Sequence, residues 1–103
     1  MFDKLMEMKK RMDEVKSRLD TMVVSGEADQ GNVKIDMNGN RKVLDVKLNL
    51  PFLNQENTEQ LEELLQLAIN RALEQSERVN ESEMKSVAGS MLPGMPGLFG
   101  NIV

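Results

Sequence analysis

The chain has 103 residues, 17 acidic against 13 basic for a formal charge of −4, and no histidine, cysteine, tryptophan or tyrosine. This length supports a single domain with a modest core, and the missing residue types exclude disulfides, thiolate chemistry, imidazole catalysis and most metal sites. No stretch approaches the roughly 20 apolar residues of a membrane span, and the basic, Met-rich start has no uninterrupted apolar run of the kind a signal peptide needs, so the expected location is the cytoplasm.

From Met1 to about Thr21 there is no Gly or Pro, and Leu5, Met8, Met12, Val15, Leu19 and Met22 recur at alternating spacings of three and four. This is a helix with a coiled-coil-like heptad seam. With Leu5 at position a, the flanking e and g positions are Lys4, Lys9, Arg11, Lys16 and Arg18, all basic, and Lys10 is on the outer face. The acids Glu7, Asp13, Glu14 and Asp20 occupy the outer b and c positions. Self-pairing along the whole seam would set like charges opposite one another, so much of it is expected to meet a different surface.

Met22 to Asn49 alternate apolar and polar side chains and break at two glycine turns, the pattern of three short antiparallel strands. Val24, Gly26 and Ala28 share the inner face of the first, with small residues where another backbone can approach closely. Val33, Ile35 and Met37 line the second, and Leu44, Val46 and Leu48 the third, leaving Val43, Asp45 and Lys47 outside. Asn38-Gly39 predicts a tight type I′ hairpin, because both residues tolerate positive φ.

Pro51 ends the third strand. Asn57 with Gln60 three residues on fits a capping box for a last helix, whose broad apolar face is Leu61, Leu64, Leu65, Ala68, Ile69, Ala72 and Leu73. Beyond Leu73 the face thins through Ser76, Val79, Asn80, Met84 and Val87, so the helix end is expected to project from the body before Gly89 stops it near Ala88. This divides the chain into a folded unit, 1–88, and a Pro/Gly/Met-rich flexible tail, 89–103. The tail is read as a disordered terminus or as a segment that docks in a groove.

Several chemistries are weighed on these elements. The cations Lys4, Lys9, Lys10, Arg11, Lys16 and Arg18 can contact phosphates, which requires charge but no particular spacing. They can equally pair with the glutamates of the last helix, and basic residues edging an apolar stripe also suit an interfacial helix, although the acids opposite do not. No aromatic residues interleave with the cations to stack bases. Glu62-Glu63 and Asp13-Glu14 are neighbours in sequence that do not share a helix face, so no enzyme site, metal site or cofactor is expected. The nine methionines read as pliable core and interface filler.

The order of a helix, Val24-Ser25-Gly26-Glu27-Ala28 with Gly31-Asn32-Val33-Lys34, Met37-Asn38-Gly39, Leu61-Glu62-Glu63-Leu64 with Ala68-Ile69-Asn70-Arg71-Ala72, and the closing Leu92-Pro93-Gly94 resembles the bacterial YbaB/EbfC family of nucleoid-associated proteins. The resemblance implies an α+β fold with αβββα order, in which a three-stranded antiparallel sheet lies between two long helices and two chains form a tweezer-like homodimer. It also implies duplex DNA held by helical arms with little sequence specificity, a nucleoid location, and an influence on nucleoid organisation and gene expression. On that basis the first-helix cations become the expected DNA-binding residues. The competing reading is a protein-interaction adaptor of the same fold without significant DNA binding.

Overall fold

The computed structural model describes residues 2–91. It contains α1 (Phe2–Thr21), β1 (Val23–Ala28), β2 (Val33–Asn38), β3 (Val43–Leu48), a short 3₁₀ turn (Leu50–Phe52) and α2 (Thr58–Met91). The three strands form one antiparallel sheet in the order β1-β2-β3. The αβββα order and the α+β class expected from the sequence are therefore present.

The core forms where α2 crosses the inner face of β1 and β2. Ala28, Val33, Ile35, Met37, Leu53, Ala68 and Ala72 are buried there, with Val24, Leu61, Leu64, Leu65 and Leu73 packed around them. Full burial of an aliphatic side chain contributes about 1.5–3 kcal/mol, so Val33 and Ile35 are major terms in a small core. The closest approach is made by the residue with no side chain. A Cβ at Gly26 would lie 2.2 Å from both the Ala68 carbonyl oxygen and the Ala72 backbone nitrogen. The small residues of β1 thus admit a helix backbone, as their spacing suggested. Ile69, expected in this face, is instead exposed, because the contact line runs through Ala68 and Ala72 and the next residue is turned about 100° away.

The helix starts with half of the expected capping box: the Asn57 N–H donates to the Asn54 carbonyl at 3.2 Å and not to the Gln60 side chain, but the N-cap itself forms. The Gln60 backbone N–H donates to Asn57 Oδ1 at 3.0 Å, satisfying one of the donors that a helix N-terminus leaves open. Its end differs from the expectation. Gly89 does not stop α2, which runs on to Met91; a Cβ at Gly89 would meet nothing, its φ is not positive, and a solvent-surrounded glycine weakens a helix by only about 1 kcal/mol without ending it. The helix end thus lies at Met91, three residues past Ala88, and the rest of the tail, including Leu92 to Phe99, lies outside the described residues.

The second hairpin also differs. Positive φ falls on Arg41 (64°), not on Asn38 or Gly39. The Asn38 N–H donates to the Lys42 carbonyl and the Arg41 N–H to the Asn38 carbonyl, which makes a three-residue loop closed by a left-handed residue. Gly39 is required for another reason: a Cβ there would come within 2.6 Å of Leu19 Cδ2 and 3.0 Å of the Leu19 carbonyl. Positive φ at two central residues, the mark of a primed turn, occurs in the first hairpin at Gln30 and Gly31. In β3 the register shifts between Asp36 and Met37, pairing Met37 with Val43 and Asp36 with Asp45. The extra residue brings Val43 onto the Met37 side, so Val43 does not alternate outward as expected.

Candidate nucleic-acid interface

The cations singled out in the sequence sit on α1, so the site is built from the way this helix is held. Its seam is covered only in its last turns. Val15 and Leu19 are buried, Met8 and Met22 are half-buried, and Leu5 and Met12 are exposed. The covering surface is α2 beyond the sheet, a stretch in which Val79, Met84 and Val87 are half-buried. The stretch expected to project from the body is one wall of a two-helix arm, and with it the molecule extends 62 × 26 × 17 Å.

The hairpin joins both helices at the root of this arm. The Gly39 N–H donates to the Leu19 carbonyl at 2.9 Å, and Asn80 Nδ2 donates to the Gly39 carbonyl at 3.0 Å. Ser76 is fully buried. Its hydroxyl donates to the Asn38 carbonyl at 2.8 Å and accepts the Arg41 N–H at 3.0 Å. Sequence reasoning placed Ser76 on a thinning face, whereas a polar group at this position is what satisfies the backbone of a buried turn. Asn40 Nδ2 donates to the Lys16 carbonyl at 2.9 Å and to Asp20 Oδ1 at 2.6 Å.

All six expected cations, Lys4, Lys9, Lys10, Arg11, Lys16 and Arg18, are exposed, but the helix does not bring them onto one face. Lys4, Arg11 and Arg18 recur every seven residues along one edge of the covered seam, Lys9 and Lys16 along the other, and Lys10 is on the back. The first edge is tempered by acids. Arg11 pairs with Glu7 at 3.4 Å, and Arg18 pairs with Glu83 of α2. The expectation that the glutamates of the last helix neutralise these cations is met at Arg18; among the described residues Lys4, Lys9, Lys10 and Lys16 have no ion pair. Arg71 on α2 donates to the Glu27 carbonyl at 2.7 Å, holding the open edge of β1.

The outer sheet face is a separate polar surface. Ser25 Oγ donates to Asp36 Oδ1 at 2.7 Å, and Lys34 and Lys47 lie 4.0 and 3.7 Å from the same carboxylate. The Ser25 hydrogen bond, with the two lysines assisting, outweighs desolvation and holds Asp36 below its ordinary pKa of 3.8. No cluster of three or more groups suited to a metal ion occurs among the described residues, and no described helix is long and apolar enough to cross a membrane.

Comparison with known proteins gives a consistent result. Residues 1–91 match the YbaB/EbfC DNA-binding family. A Flavobacterium johnsoniae protein named nucleoid-associated protein is 35% identical over 98 residues, covering 95% of this chain and 91% of its own. One of the same name from Legionella pneumophila is 38% identical over 87 residues, covering 84% and 77%. The crystal structure of an uncharacterized Helicobacter pylori protein superposes with a TM-score of 0.60 at 23% identity, covering 85% of this chain and 98% of that one, a likeness of fold.

Proposed function

This chain belongs to the YbaB/EbfC DNA-binding family, and on that premise we propose that it is a nucleoid-associated protein of the cytoplasm whose homodimer binds duplex DNA with little sequence preference. Membership also agrees with the expectation that it is not an enzyme. The observation that carries the DNA reading is the placement of six exposed cations on α1, in an arm that stands clear of the sheet, while the exposed charges of α2 are six glutamates against Arg71, Arg78 and Lys85. Such a surface attracts the phosphate backbone through charge, releasing counterions, and has no element shaped to read base edges. The dimer reading is supported by the inner face of β3, where Val43, Val46 and Leu48 are exposed in the single chain and a second copy has apolar surface to cover.

A salt-titrated DNA-binding assay tests the proposal. Each neutralised phosphate contributes about −0.9 to the slope of log K against log salt, so a dimer using two or three cations per chain gives a slope of roughly −4 to −5. Replacing Lys9, Arg11, Lys16 and Arg18 by Gln flattens that slope and weakens binding to all duplexes alike, whereas an Arg71 replacement leaves it nearly unchanged. The adaptor reading, favoured by the acidic balance and the Arg18–Glu83 pair, forecasts no salt-dependent binding by the parent protein near physiological ionic strength.

A further inference from the structure

The hairpin between β2 and β3 needs a left-handed residue to close its three-residue loop, but neither folding nor the first-helix cations require that residue to be a cation. Its tip holds a non-glycine residue, Arg41, in the left-handed region at φ 64°, and the next residue is a second exposed cation, Lys42. A strained backbone persists only where its surroundings hold it, and here they do so from three directions. The Arg41 N–H is taken by Ser76 of α2. Asn38 Oδ1 accepts the N–H groups of Asn40 and Lys42 at 2.9 and 3.1 Å. Asn40 is tied to Lys16 and Asp20 of α1.

The last contact decides which edge of α1 the hairpin joins. Lys16 and Asp20 are on the side of the seam that carries Lys9, away from Lys4, Arg11 and Arg18. Lys9 and Lys16 stand about 10 Å apart along the helix, and the hairpin continues their row at the root of the arm. Asp20, the acid nearest that junction, is engaged by Asn40. Among the described residues Lys9, Lys16, Arg41 and Lys42 have no ion pair, while Arg11 and Arg18 on the opposite edge have glutamate partners.

We propose that Arg41 and Lys42 are phosphate-binding residues, and that duplex DNA runs along the Lys9–Lys16 edge of the arm onto this hairpin rather than along the Lys4–Arg11–Arg18 edge. The inference rests on the DNA-binding reading above and deepens it by naming the face and its second element. The rigid tie of the loop to both helices presents the two cations preorganised, so little ordering is required when DNA binds.

Fluorescence anisotropy with a labelled duplex across a salt series tests this on the full chain. With Lys9, Lys16, Arg41 and Lys42 engaged on each chain the parental slope steepens from the roughly −4 to −5 of two or three α1 cations to about −7, and Arg41→Gln with Lys42→Gln flattens it by roughly 2 to 4, for two hairpins of two cations each, and weakens binding at least tenfold at low salt. Arg41→Gly is the control for folding, since glycine adopts positive φ freely; it keeps or raises the melting temperature yet lowers the slope by about 1.8 per dimer, whereas Arg41→Lys retains binding. Lys42→Gln alone, whose side chain makes no hydrogen bond among the described residues, gives a loss of the same size as Arg41→Gly. Hairpin variants that bind with parental affinity and slope overturn the inference, and loss of binding in Lys4→Gln/Arg11→Gln/Arg18→Gln in their place assigns DNA to the opposite edge. A parent protein without salt-dependent binding overturns the DNA-binding reading itself.

Discussion

β2 and β3 are neighbours with similar alternating sequences, yet Val33 and Ile35 are 0% exposed while their cross-strand partners Leu48 and Val46 are 40% and 48% exposed. The difference is made by α2, which packs on β1 and β2 and leaves β3 bare. Alternation reports which side chains share a face of a strand. Whether the same chain supplies a cover depends on where a helix can sit, and Gly26 lets α2 settle closely over β1, at the far side of the sheet from β3.

The largest expected effect comes from breaking that seat. Gly26→Val drives a side chain into the Ala68 carbonyl and the Ala72 nitrogen, both backbone atoms of a helix and unable to move aside. The expected cost is about 3 kcal/mol or more, read as a large drop in urea midpoint; an unchanged midpoint would show that α2 does not rest on β1 in solution.

A smaller effect, confined to association, is expected on the bare side. Val46→Asp with Leu48→Asp removes apolar burial of roughly 3–6 kcal/mol from an interface that covers both side chains, or about two to four decades in dimer dissociation constant. Light scattering should find monomer at micromolar concentration with helical circular dichroism retained. Dimers that persist unchanged would place the interface elsewhere.

The smallest effect sharpens the comparison from the outer face, where Asp36 of β2 is held by Ser25 of β1 and approached by Lys47 of β3. Its folded pKa is lowered, so its contribution to stability is complete above the ordinary value of 3.8 and is lost as pH falls through the folded value. Urea midpoints measured from pH about 5 down to about 3 should fall less steeply in Ser25→Ala than in the parent. Equal pH dependence in the two proteins would show that Ser25 does not hold the carboxylate.

Local pattern determined much of this molecule. The helix of α1 with the last turns of its heptad seam, the two-residue period of β2, the small residues of β1 and the Asn57 cap each depend on neighbours within a few positions, and all four stand in the structure. So does the exposure of the six candidate cations, because charge on the outer positions of an amphipathic helix has nowhere else to go. What the tertiary structure decided depends mostly on residues brought together from 20 to 65 positions apart. Ser76 is buried because a turn backbone 38 residues away needs its hydroxyl, Gly39 is needed for its contact with Leu19 and not for a positive φ, and the register shift in β3 turns Val43 inward. The division of the cations into two unlike edges has the same origin: spacing along α1 set the edges, and only the packing of Glu83 against one and Asn40 against the other made them different.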